Sequence, residues 1–191
     1  MADACDLLST TTIGSAATSI TVTGIPQTYQ TLRIVSLLQT TGTAEFDGEV
    51  QVTFAGFGTG EYNSSAPAYH ASNQGTVAKT AFSTAYFATG ENATSRSTQF
   101  GAGWMYTGRN CNNTASMEIL CSNYADTGEP LIFQVKSSKG AVASNTPRQI
   151  IQNGVNSTVS NGALTAVTFT TKSGSIDFTT ASSVRIYGYV V

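Results

Sequence analysis

Residues 16–35 read AATSITVTGIPQTYQTLRIV, and the spacing of apolar side chains in this stretch decides the fold class. Ile20 and Val22 alternate with Thr21 and Thr23, and Leu32 and Ile34 alternate with Thr31, Arg33 and Val35. A period of two places successive side chains on opposite faces, as in a half-buried β-strand. Between the two runs, Gly24-Ile25-Pro26 breaks the pattern. Proline has no N–H for a ladder and fixes φ, and it pushes the residue before it toward extended geometry. The stretch therefore reads as an opening hairpin around an Ile-Pro-Gln-Thr-Tyr turn, with Leu32 and Ile34 facing the core.

The same reading extends along the chain. A strand over 8–13 follows an extended N-terminal arm within residues 1–14. The return strand covers 32–38, and Val50, Val52 and Phe54 form the next strand, which ends at Gly56. Residues 56–76 are dense in Gly, Asn and Ser without a sustained period and read as a long loop. Strands are expected over 79–88 and 98–107, the second with a bulge or close backbone approach at Gly101 and Gly103. Residues 115–121 and 131–136 form a pair joined by a turn containing Asp126-Thr127-Gly128 and Pro130. An irregular stretch over 137–147 precedes strands over 150–157, 163–171, 176–178 and 184–190. In the last, Val184, Ile186 and Gly188 share one face and Tyr187 and Tyr189 the other. About nine to eleven short strands punctuated by turn residues describe an all-β fold, a single-domain antiparallel β-sandwich of jelly-roll type over residues 1–191.

Composition narrows the function classes. Charged residues make up 10% of the chain and the formal net charge is −2, so there is no electrostatic footprint for nucleic acid or an anionic membrane. Ser and Thr supply about a quarter of the residues, which coats the surface with hydroxyls in place of ions. No apolar run approaches the roughly 20 residues of a bilayer span, and MADACDLLSTTT lacks the basic and apolar regions of a signal peptide. The expected place of synthesis and assembly is a cytoplasm. Three cysteines, Cys5, Cys111 and Cys121, make a secreted disulfide framework unfavourable. Cys111 and Cys121 are spaced to meet across a hairpin, but buried free thiols are the preferred reading.

Candidate chemistry is sparse. His70 is the single histidine, and no nucleophile signature surrounds it, so a surface or interface imidazole is favoured over a catalytic one. Glu45, Asp47 and Glu49 are spaced by two but match no calcium loop, and a solvated turn is favoured. The segment GFGTGEYN lacks the strand-to-helix context and the Lys-Ser/Thr of a phosphate loop. Trp104, Tyr106, Tyr62 and Tyr69 have the chemistry to stack a sugar ring, although packing is the commoner use of such residues. No catalytic, cofactor-binding or metal-binding residue is assigned, and no cofactor is expected.

With these residues laid out, the chain resembles a family of tailed-bacteriophage virion structural proteins. TTTIGSAATSITVTGIPQTYQTLRIV is similar to that family's opening pattern. VQVTFAGFGTGEYN is similar to its middle motif, with Ala55-Gly56 where the family often has Asn-Gly. SMEILCSNYADTG is similar to its later strand and Asn-Tyr turn, and GSIDFTTASSVRIYGYVV to its closing Ile/Leu-Tyr-Gly pattern. The resemblance runs in order across most of the chain, with the first and last motifs the most specific.

What the resemblance implies is a jelly-roll module of the particle exterior without enzymatic activity. Two placements follow from it. One is a capsid decoration, or cement, protein, a homotrimer that binds the major capsid protein on the outer surface of the virion and stabilises the head. The other is a tail-appendage or receptor-binding module contacting host surface glycans. A chain of this length without a recognisable shaft or anchor favours the first. Its contacts are expected from the N-terminal arm and from residues 56–76 and 137–147. A carbohydrate-binding module or glycosidase domain is the non-viral alternative.

Overall fold

The structure, a computed structural model, describes residues 4–41, 49–56, 62–65, 68–71, 77–78, 100–104, 114–129, 131–139, 148–156, 162–171 and 176–190. In chain order the strands are β1 (Ala4–Thr12), β2 (Ser19–Thr23), β3 (Thr31–Gln39), β4 (Glu49–Ala55), β5 (Tyr62–Ser65), β6 (Ala68–Ala71), β7 (Val77–Ala78), β8 (Phe100–Trp104), β9 (Thr114–Ser122), β10 (Leu131–Lys139), β11 (Arg148–Asn156), β12 (Ala166–Thr171) and β13 (Ser183–Val190). They form two antiparallel sheets. The larger runs β1-β13-β3-β9-β10-β11-β6-β7, with β5 also on β11, and the smaller runs β2-β12-β4-β8.

Alternation in sequence becomes alternation in burial. In β3, Leu32, Ile34, Ser36 and Leu38 are buried between less buried neighbours, and in β13 the buried positions are Val184, Ile186 and Gly188, as expected from their parity. One apolar core gathers Leu32, Ile34, Ile119, Phe133 and Ile186 from the large sheet with Ile20, Val52, Phe54, Val167 and Phe169 from the small one. The rings of Phe54 and Phe133 meet edge to face at 5.7 Å across the two layers. The fold is a β-sandwich.

Several expectations are corrected. β2 and β3 do not pair with each other. β2 lies at the edge of the small sheet against β12, while β3 sits in the large sheet between β13 and β9. The opening stretch is therefore a crossover between layers, because period two fixes which face is buried but not which strand is the neighbour. Residues 4–12 are not a free arm, since β1 pairs along its length with β13, with a register shift between Leu7 and Ser9. Within the expected loop over 56–76, β5 and β6 both pair with β11, and residues 137–139, expected to be irregular, continue β10. Phe178 makes isolated bridges to Ala17 and Thr40 and not a strand. The β9–β10 hairpin and the bulge at β8 are as expected: Val50 and Gln51 face Gly103 and Gly101, leaving Ala102 as the extra residue. The strand expected over 79–88 lies outside the described residues.

The ladders β1:β13, β2:β12, β3:β9 and β4:β8 are nested, each inside the last, and alternate between the large and small sheets. β5–β7 lie in the connection from β4 to β8, and β10 and β11 in that from β9 to β12. Among the described residues these insertions widen only the large sheet.

Candidate functional site

The turn that opens the chain and the turn that follows β9 meet at one end of the sandwich. Tyr124 is fully buried, and its hydroxyl donates to the Pro26 carbonyl at 2.6 Å while accepting from the Tyr29 N–H at 3.1 Å. Burial raises its pKa, an effect partly opposed by the bond from Tyr29. Gln27 Nε2 donates to the carbonyls of Ile25 and Leu164 at 2.7 and 2.8 Å, and the Leu164 N–H donates to the Tyr124 carbonyl at 2.8 Å. Proline 26 leaves these groups a turn of fixed entry angle, so two side chains suffice to tie three loops together.

Two glycines complete the arrangement. Gly56 has φ of +100°, a side chain there would overlap the Ala163 carbonyl, and its own carbonyl accepts from Gly162 N–H at 2.6 Å. Gly188 lies under the ring of Tyr29, where a Cβ would come within 2.5 Å of the ring. Tyr29 is thereby pressed against β13, and its hydroxyl donates to Asp6 Oδ2 on β1 at 2.9 Å. That bond to a carboxylate is the main reason its phenol holds its proton more tightly than usual. The motif residues Ile25 to Tyr29, Gly56, Tyr124 and Gly188 thus converge as structural framework.

Beside that framework an open groove of about 680 Å³ is lined by Tyr29, Thr31, Ser122, Asn123, Asp126 and Thr127, among others. Thr31 and Ser122 are cross-strand partners of β3 and β9. Asn123 takes φ of +59°, a left-handed conformation that asparagine tolerates, and starts the turn. Asp126 Oδ1 accepts from the Gly128 N–H at 2.8 Å, which fixes the carboxylate. Further along the exposed face of the large sheet, Arg33 Nε lies 3.0 Å from Glu118 Oε1. The guanidinium's proton is held more tightly by hydrogen bonds to Tyr189 first and Glu118 second.

The described residues among those singled out from sequence are spread over several strands of both sheets. His70 lies in β6, in register with Arg148 and Ala78. Glu49 begins β4 opposite Trp104, while Glu45, Asp47 and Tyr106 lie outside the described residues. Tyr62 and Tyr69 belong to strands that pair with β11 in the large sheet, and Trp104 to β8 of the small one. Cys121 is free and buried, and burial pushes its thiol pKa far up; Cys5 is free and exposed, and Cys111 lies outside the described residues. Among the described residues no group of three or more His, Cys, Asp or Glu is placed to hold a metal ion. No helix among them is long and apolar enough to cross a membrane.

Sequence reasoning did not nominate the groove. Its residues are turn formers in the sequence, and only the convergence of two loops distant in the chain gives them a common surface. Compared with protein-family models, curated proteins and solved structures, the chain gives no match.

Proposed function

We propose that this chain is a non-enzymatic structural protein of a tailed-phage virion, a trimeric decoration protein that binds the major capsid protein on the outside of the head. The observation that carries the reading is the ordered set of motifs from Ile25-Pro26-Gln27-Thr28-Tyr29 to Ile186-Tyr187-Gly188, of which Pro26, Tyr29, Tyr124 and Gly188 lock the end of the sandwich. The nested ladders support it further. A long antiparallel ribbon of paired strands folded over itself is the topology of a jelly roll, a module common in viral shells.

Edges argue for the trimer. Among the described residues β2 (SITVT) and β8 (FGAGW) border the small sheet without a single charge, and β1 borders the large one with only Asp6. Such edges template further pairing unless charged, bulged or covered. β1 and β8 carry register irregularities, but β2 has none. Three copies around an axis would cover edges and leave one face for the shell, and many weak contacts repeated by symmetry would then add through effective concentration.

The test is to count copies of this polypeptide per particle by quantitative mass spectrometry and to locate it by electron cryomicroscopy, with light scattering on the purified protein. On the order of hundreds of copies on the head and a trimeric mass are expected. Density confined to the tail, in a few copies, would overturn head decoration in favour of a receptor-binding appendage.

A further inference from the structure

The groove at the end of the large sheet has a composition that selects a ligand class. Among the described residues lining it none is basic, so a phosphate or carboxylate would meet Asp126 without a compensating charge. Its apolar surface is limited to Tyr29 and Ala125, too little to desolvate an aliphatic or aromatic guest. What remains is one aromatic ring beside hydroxyls, the amides of Gln30 and Asn123, and a carboxylate.

We propose that this groove is a binding site for a neutral saccharide, with one pyranose ring against Tyr29 and its hydroxyls on Asn123, Asp126, Thr127 and the strand hydroxyls of Thr31 and Ser122. A sugar hydroxyl both donates and accepts. The lining matches that duality: a carboxylate that only accepts, two amides that do both, and hydroxyls that rotate to either role. A tyrosine ring offers an apolar surface to the C–H face of a pyranose while keeping its own O–H satisfied, here by Asp6. The site is also built before any ligand arrives. Tyr29 is held by its N–H on Tyr124, by its O–H on Asp6 and by Gly188 beneath the ring. The Gly128 N–H fixes one oxygen of Asp126 and leaves Oδ2 as an acceptor. Little ordering cost therefore falls on binding. The inference does not depend on where the chain sits on a particle, since the lining residues belong to one chain.

The experiment is a titration of the ¹⁵N-labelled full chain, followed by two-dimensional NMR. The probes are the methyl glycosides of glucose, mannose, galactose and N-acetylglucosamine, and separately inorganic phosphate, each to about 50 mM, which detects weak single-ring affinities. At least one glycoside is expected to cause saturable shifts confined to the amides of residues 29–31 and 122–127. Asp126→Asn keeps an acceptor for Gly128 but loses the charge, and should weaken binding about tenfold with the rest of the spectrum unchanged. Thr127→Ala is a second, milder variant with the same direction. Absence of shifts with all four glycosides, shifts outside the groove, or a response to phosphate alone would overturn the proposal. A tail location of the protein with saturable glycoside shifts would overturn head decoration and leave this site standing.

Discussion

At the scale of single residues, the end of the sandwich depends on contacts that tolerate little change. Gly188→Ala would drive a methyl group into the Tyr29 ring and is expected to cost about 1–3 kcal/mol in urea denaturation. In a double-mutant cycle that cost should largely vanish on a Tyr29→Ala background, because the clash has no partner there. Buried hydroxyls give a second, opposite pair of outcomes. Ser182 Oγ donates to the Gln39 carbonyl and accepts from the Gln39 N–H, both at 2.9 Å, so Ser182→Ala should destabilise by about 1–3 kcal/mol. Ser36 Oγ is buried in β3 with no hydrogen-bond partner among the described residues, so Ser36→Ala should be neutral or stabilising by up to about 1 kcal/mol. Denaturation midpoints that move in the same direction for both serines would contradict this account.

At the scale of elements, the Tyr124 phenol couples the turn between β9 and β10 to the turn between β2 and β3, while the Tyr29 phenol ties the latter turn to β1, and both contacts have a pH signature. Tyr29 and Tyr124 both have pKa values raised on folding, the first by its bond to Asp6 and the second by burial. A group whose folded pKa exceeds its unfolded value contributes stability that is complete below the unfolded pKa and is lost as pH rises through the folded one. Melting temperature should therefore be insensitive to these groups near neutrality and fall above about pH 10, the ordinary tyrosine value. Tyr29→Phe should flatten that alkaline decline, and an unchanged decline in the variant would show that the bond from Tyr29 to Asp6 does not contribute to it. Strand position also sorts the thiols. Cys5 on the edge strand β1 is exposed, whereas Cys121 on the central strand β9 is buried with its pKa pushed up, and the thiolate is the reactive form. Mass spectrometry after a brief exposure to iodoacetamide should find Cys5 modified and Cys121 modified only in denaturant.

At the scale of the whole molecule, four nested ladders wrap one core, and the two sheets differ in how finished they are. The large sheet keeps Leu7, Leu37 and Ile132 about half exposed, while among the described residues the small sheet is bounded by uncharged strands. The sequence by itself determined the all-β class, the inward parity of Leu32 and Ile34, the shared face of Val184 and Ile186, the end of β4 at Gly56 and the β9–β10 hairpin. Each of these follows from local spacing or turn chemistry, in which a residue's face and a chain reversal are set by its immediate neighbours. Only the tertiary structure decided that β2 and β3 part into different sheets, that residues 4–12 join the large sheet, and that Tyr29, Asn123 and Asp126 share a groove. Strands of similar hydroxyl-rich alternation are locally interchangeable as partners. Their pairing is settled by which arrangement closes the core, and here that closure runs through contacts such as Tyr124 on Pro26, 98 residues apart in the chain.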